Sequence, residues 1–537
     1  MDILMVLTGL LAATVFSVAL GNKTGLPWPA LLTLLTTAVV FIPGFTTFSV
    51  PSELILPIFL PPLLWALARR TSWGVIREQW RLILLLSVVL VVITTAGVGA
   101  AAYFWLPGIG LAGAILLGAA IAPPDPVAVE AVAEPAGIPH RITTSLQIEG
   151  LFNDAASIVL FHLALFAITE GDDLSVSSGV INFVYSSVVA GILGLVIGHV
   201  SAWFMKHIDD STARNALTWV VPFGTYITAE YLEASGVIAV VIAAIELSSR
   251  APLIAQDRAS GQNFWDSAEL LFTGVAFGLI GMSVSDAIDE VGSDLWHSVF
   301  VGVGLSVVAI AIRGVWMYIV CLINRKTGQR RSAPTRLQEV LLMTWSGMRG
   351  LVTLALILSI PRDALAYHHE LAVIALTVLL ITMVLPGMLL PWLMAQLSLR
   401  SQAESAEDAM RATISERSRQ AAMRSLRDYA ETLDPEIAVA VDSWFEENLG
   451  AGDLSSDERS VRMAKLKRAR AEASKAREVA LLASQQELLN MRKNREFNPA
   501  LVDEVLAEVD RALLTVNDRK SVEISGYTGS YGWAGNL

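Results

Sequence analysis

A segment that crosses a lipid bilayer has no water to satisfy its backbone, so it must pair every N–H and C=O internally. A helix that does this needs about 20 mostly apolar residues. The chain contains thirteen such stretches, at 2–21, 26–43, 53–68, 82–106, 109–134, 144–169, 178–205, 215–231, 233–249, 264–284, 295–322, 337–360 and 370–397. Composition agrees: 54% of the 537 residues are hydrophobic and 16% charged, a balance foreign to soluble chains of this length. The first stretch, MDILMVLTGLLAATVFSVALG, lacks the basic start of a cleaved leader and reads as a spanning helix. The expected fold class is all-α, a polytopic membrane protein of 13 transmembrane helices. The single cysteine, Cys321, excludes an internal disulfide.

Charge divides the chain and orients it. Residues 400–537 hold 20 Lys/Arg and 24 Asp/Glu, against 18 and 26 in the nearly threefold longer remainder. The expected domains are therefore 1–399, in the membrane, and 400–537, a helical cytoplasmic tail. Alternate loops of the membrane part carry fifteen Lys and Arg residues, from Lys23 to Arg336, while the opposite loops carry Arg362 alone. By the positive-inside rule the N-terminus lies outside the cell membrane and the C-terminus in the cytoplasm. In the tail, 404–431 and 454–495 read as helices, broken at Pro435 and Pro499. The basic stretch 460–482 suits either a membrane surface or, more simply, a solvated bundle helix. No acidic or basic block points to nucleic acid.

Thirteen helices divide into six, a linker and six, the arrangement of two inverted repeats, in which interrupted helices at matching positions mark a binding site. Segment 5 is broken by Pro123-Pro124-Asp125-Pro126, and segment 12, seven helices later, by Ser346-Gly347-Met348-Arg349-Gly350. The match predicts a crossed pair of broken helices.

Ionisable residues inside the membrane are costly and are functional candidates by default. Arg313, Arg349, Asp125, Glu149 and Asp154 lie deep in their segments, and Glu130, Glu269 and Glu53 less so. Segment 6 contains IEGLFNDAASIVLFHLALF (148–166). At about 100° per residue, Glu149, Asn153 and Ser157 share one stripe, while Asp154 lies about 140° round from Glu149. The two acids therefore hold different jobs: one pairs with an arginine, and the other faces an ion path. A buried carboxylate favours its neutral form, so a proton and a small hard cation compete for its oxygens. Asp154, Asp125, the Asn153 side-chain oxygen and carbonyls around 123–126, that of Pro124 among them, are the expected cage. Either occupant neutralises the site, which is the basis of exchange.

APPDPVAVEAV followed by IEGLFNDAASIVLF is similar to the paired signature of the cation:proton antiporter family that contains the sodium/proton exchangers and the bacterial NhaP-type antiporters. LPPLLWALARRTSW, FWDSAELLFTGVAFGLIGM and WSGMRGLVTLALILSIP resemble further family blocks, in family order. The resemblance implies a homodimer of thirteen-helix protomers in the inner membrane, with a core domain moving against a dimerisation domain. It implies Asp154 as the cation and proton site beside Asn153, Asp125 as the acid of the broken helix, and Glu149 ion-paired with Arg349, with Arg313 as second choice. The Asn-Asp form resembles the electroneutral branch. Two positions depart from the pattern: Pro124 stands where the family has threonine and Gly150 where it often has serine, and both changes remove hydroxyls.

The expected activity is exchange of sodium, and also lithium, for a proton, with no cofactor and with sodium, proton and membrane lipid as partners. A potassium/proton antiporter of the same fold is the alternative; a channel or sensor lacks its repeated rings or carbonyl filter. No nucleotide, zinc or triad motif supports an enzyme. Asp266 and Glu269, at the start of segment 10, are expected to cap that helix.

Overall fold

The computed structural model describes residues 2–26, 28–40, 52–126, 129, 138–170, 176–250, 255–327, 333–361, 364–365 and 367–397, and in the tail 409–418, 420–421, 424–425, 428, 475, 477–492 and 497–524. All described elements are helical: α1 (Asp2–Thr24), α2 (Trp28–Val40), α3 (Ser52–Ala68), α4 (Trp73–Ile83), a π-helical turn (Leu84–Val89), α5 (Leu90–Trp105), α6 (Gly110–Ile121), α7 (His140–Glu170), α8 (Val176–Met205), α9 (Ser211–Tyr231), α10 (Gly236–Arg250), α11 (Ala255–Val291), α12 (Leu295–Thr327), α13 (Leu337–Trp345), α14 (Leu351–Leu358), α15 (His368–Leu397) and, in the tail, α16 (Pro499–Ile524). By contacts the chain forms two units, Met1–Pro252 with Asn263–Ser405, and Leu253–Gln262 with Ala406–Leu537.

The first unit turns its apolar side chains outward as well as inward. Phe104 is 78% exposed, Phe300 71% and Ile181 66%, a surface suited to lipid or to a partner subunit. Among the described residues, six helical stretches are long and apolar enough to cross a membrane: Leu4–Thr24, Trp73–Trp105, Arg141–Thr169, Ile181–Met205, Leu295–Thr327 and His368–Leu390. Trp28–Val39, Leu56–Ala68 and Gly110–Ile121 are shorter apolar helices. The second unit has a small core of its own, in which Ile414, Leu488, Met491, Phe497 and Val502 pack together. The Arg417 guanidinium lies 4.9 Å from the Phe497 ring centroid. Most of 460–482 and all of 525–537 lie outside the described residues.

Two helices begin earlier than their apolar runs. Segment 4 starts at Trp73, because WGVIREQWRLI is amphipathic and keeps Arg77 and Arg81 exposed. Segment 10 starts at Ala255, so Asp266 and Glu269 sit inside α11 and do not cap it. They accept instead from Arg70 Nη2, at 2.9 and 3.1 Å. The π-helical turn leaves the Leu85 carbonyl to accept from Trp316 Nε1 of α12 at 3.0 Å. From the same turn, Ser87 Oγ donates to the Glu149 carbonyl of α7 at 2.8 Å.

The strongest tie between α7 and α12 is a buried ion pair. Arg313 and Glu149 are 1% and 2% exposed. Arg313 Nη1 donates to Glu149 Oε1 at 2.5 Å, Nη2 donates to Oε2 at 2.9 Å, and Nε donates to the Met343 carbonyl at 2.9 Å. Gly347 makes room, since a Cβ there would run into the Arg313 guanidinium. The expected pair Glu149–Arg349 is thereby corrected to Glu149–Arg313. The reason is geometric: the fork from α12 meets both carboxylate oxygens, whereas Arg349 spends its donors on backbone at the helix break.

Removing one partner of such a pair strands a charge and typically costs about 3–5 kcal/mol. Glu149→Ala and Arg313→Ala are each expected to lower the melting temperature in detergent sharply, and the double variant to lose less than the sum. The corresponding cycle between Glu149 and Arg349 should show the weaker coupling. Additive losses at 149 and 313 would contradict the pairing.

Candidate cation and proton site

Three prolines in four residues end α6. Pro123, Pro124 and Pro126 have no N–H, so the carbonyls a turn earlier lose their helical donors. In a membrane a carbonyl freed at such a break needs another partner, and α7 serves two in this stretch, one a turn before the prolines and one within the break. Ser157 Oγ donates to the Ala119 carbonyl at 2.7 Å, and Asn153 Nδ2 donates to the Pro124 carbonyl at 2.7 Å. Asn153 and Ser157 of the stripe thus face the broken helix and secure it, while Glu149 of the same stripe pairs with Arg313. The half of this segment beyond residue 126 lies outside the described residues apart from Val129, and Glu130 and Glu134 with it.

The second break, Ser346–Gly350 between α13 and α14, crosses the first. Asp125 N donates to the Met348 carbonyl at 2.7 Å. Arg349, 2% exposed, sends Nε to the Ile121 carbonyl at 2.7 Å and Nη1 to the Gly347 carbonyl at 2.5 Å. Its positive charge therefore rests at the C-terminal, electronegative end of α6 and just past that of α13. Asp125 takes the opposite post, with Oδ2 accepting from Leu351 N, the first residue of α14, at 3.3 Å. Each half-helix end meets a charge of the complementary sign.

Of the two departures from the family pattern, Gly150 has a local explanation. A Cβ at Gly150 would fall 2.5 Å from Pro126 Cγ, so the proline ring occupies the space of the missing side chain. Pro124 keeps its carbonyl as the acceptor for Asn153. The expected role of the Asn153 oxygen as a cage ligand does not fit this arrangement. Its Oδ1 accepts from Asp154 N at 2.7 Å, the residue is fully buried, and it does not line the cavity at the crossing. Asn153 positions the Pro124 carbonyl instead.

Asp154 points elsewhere, as its offset from the stripe requires. With Asp125, Pro123, Pro124 and Pro126 it lines a cavity of about 40 Å³, completed by Leu60, Leu63, Leu64 and Leu67 of α3, Thr273 and Phe277 of α11, and Gly350, Leu351 and Val352. That volume suits a bare cation with a water or two. Asp154 is 5% exposed, and among the described residues no group hydrogen-bonds to its carboxylate. Thr273 was not among the expected site residues; its one sequence signal is a hydroxyl amid the apolar run LLFTGVAF.

Close approach makes Gly350 indispensable, because a Cβ there would overlap the Asp125 carboxylate. Gly350→Ala is expected to cost about 1–3 kcal/mol of stability. Gly191→Ala in α8, where nothing lies within 4 Å, should hold or raise it. Equal melting temperatures for both variants would contradict the packing.

Comparisons with known proteins converge on one family. The sequence profile described as sodium/hydrogen exchanger, transmembrane, matches residues 5–396. An uncharacterized Na(+)/H(+) exchanger of Mycobacterium tuberculosis is 30% identical over 367 residues, 67% of this chain and 67% of that protein. The low-affinity Na(+)/H(+) antiporter NhaS1 of Synechocystis sp. is 32% identical over 348 residues, covering 63% of each. Among solved structures, the sodium proton antiporter MjNhaP1 from Methanocaldococcus jannaschii aligns with a TM-score of 0.57 at 19% identity, over 74% of this chain and 99% of that one, a likeness of fold. With the profile spanning nearly all of the membrane part, the chain belongs to the sodium/hydrogen exchanger family.

Proposed function

We propose that this protein is an electroneutral sodium/proton antiporter that exchanges one sodium, or lithium, for one proton at Asp154. The observation that carries the reading is a buried carboxylate without a hydrogen-bonding partner among the described residues, on the wall of an ion-sized cavity where two broken helices cross. A charge in that position is expensive. Sodium or a proton relieves it equally well, so the loaded site crosses and the empty, charged one does not. The other buried charges are engaged: Glu149 with Arg313, Arg349 with backbone carbonyls, Asp125 with the start of α14. One titrating acid gives one-for-one exchange. The named relatives support sodium as the cation.

The finer organisation belongs to the same proposal. Residues 1–399 form thirteen spans as two inverted six-helix repeats about a linker helix, with the N-terminus outside the cell membrane. The matched breaks and the charge alternation of the loops support this. Two protomers associate in the lipid and work by alternating access, and residues 400–537 form a separate cytoplasmic helical domain.

Asp154→Asn is expected to abolish sodium-driven dissipation of a pH gradient in proteoliposomes, with an unchanged or raised melting temperature, because it removes an unpaired buried acid. Wild-type exchange by this variant would refute the assignment. Sodium, lithium and potassium added in turn identify the cation, and a potassium response exceeding that of sodium would favour the potassium/proton alternative. Clamping the membrane potential should leave the rate and endpoint unmoved; a shift with voltage would contradict one-for-one exchange.

A further inference from the structure

The α3 and α11 side of the cavity offers a cation almost nothing. Leu60, Leu63, Leu64 and Leu67 are hydrocarbon and Phe277 is an aromatic ring. Thr273 is the exception, and its hydroxyl is unusual in what it leaves undone. A threonine in a helix ordinarily donates to the carbonyl four residues back. Five other buried threonines do so: Thr14 to Leu10 at 2.7 Å, Thr33 to Pro29 at 3.0 Å, Thr36 to Leu32 at 2.9 Å, Thr225 to Val221 at 2.7 Å and Thr382 to Val378 at 2.7 Å. Thr273 is 1% exposed, yet its Oγ1 has no hydrogen-bond partner among the described residues. Thr95 and Thr353 share that state, but neither lines the cavity.

A buried hydroxyl without a partner is destabilising, and its retention beside two carboxylates points to a use in binding. A hard cation that leaves water needs several oxygen ligands. Asp154 and Asp125 provide charge, but neither Pro124 nor Gly150 has a hydroxyl to add at the break. Among the described lining side chains, Thr273 Oγ1 is the only neutral oxygen. We propose that Thr273 Oγ1 is a ligand of the transported cation, binding it from α11 while Asp154 and Asp125 bind it from the crossed helices, and that this ligand favours small cations over potassium. The inference rests on Asp154 being the cation site. The smaller the cation, the more a lost oxygen costs it, since its own hydration was the tighter.

The test is cation-dependent exchange by Thr273→Val, which keeps the shape and removes the oxygen, beside Thr273→Ser, which keeps the oxygen. For Thr273→Val the apparent KM should rise roughly three- to tenfold for sodium, and more for lithium, as one neutral interaction would give. The potassium response should move least, and Thr273→Ser should stay near wild type. Unchanged sodium and lithium KM values, or equal changes for all three cations, would overturn the proposal. If Thr273→Val does not fold, the rise in melting temperature that sodium and lithium produce in detergent is compared between Thr273→Ala and Thr273→Ser. Loss of the rise in the alanine variant alone supports the ligand, and equal rises refute it. Asp154→Asn separates the failures, since continued exchange there would remove the underlying site and not merely this ligand.

Discussion

Carbonyl groups that lose their helical partners inside a membrane must find others, and the rest of the site depends on how this is met. Proline at 123, 124 and 126 removes three donors within a single turn. Ser157 of α7 serves the Ala119 carbonyl, which Pro123 deprives of its donor, and at the same break the Pro124 and Ile121 carbonyls accept from Asn153 of α7 and Arg349 of the second break. Each of these bonds ties the unwound chain to a neighbouring element. In lipid an unmet carbonyl costs more than in water, so the crossing and the face of α7 specify each other.

Charge follows the same logic. Two guanidinium groups and three carboxylates lie close together in a low-dielectric region, and such a set is tolerable only if nearly every member is compensated. The Glu149–Arg313 fork is compensated internally. Arg349 and Asp125 are compensated by the ends of half-helices, where backbone dipoles supply the opposite partial charge. Asp154 stands apart, with no hydrogen bond to its carboxylate among the described residues. In the proposed antiporter the transport site is the remainder after the structural charges have been paired, on the same helix as the Glu149–Arg313 fork.

Much of this is legible in the sequence because it is periodic or local. The breaks announce themselves through proline and glycine at matched positions, and a spacing of four places Glu149, Asn153 and Ser157 on one face with Asp154 off it. Family signatures direct attention to the same acids. What stays hidden depends on distance between helices. The family resemblance puts Arg349 ahead of Arg313 as the partner of Glu149, and only the path of α12 reverses the order, because both are long, buried and near the right depth. The turn of the Asn153 amide toward Pro124 depends on where a carbonyl points. Thr273 is invisible among many intramembrane threonines, and only its missing backbone bond together with its place on the cavity wall sets it apart. The start of α11 is hidden because its first turns are too polar to stand out by hydrophobicity, which gives Asp266 and Glu269 the look of caps.

The central claim is that proton and sodium compete for a single carboxylate. Proton release on sodium binding tests it most directly, read by a pH dye in weakly buffered detergent solution with no gradient and no transport step. At a pH where the site is protonated, the wild-type protein should release close to one proton for each sodium bound, and Asp154→Asn should release none. Sodium binding without proton release, or equal release by the variant, would contradict the account.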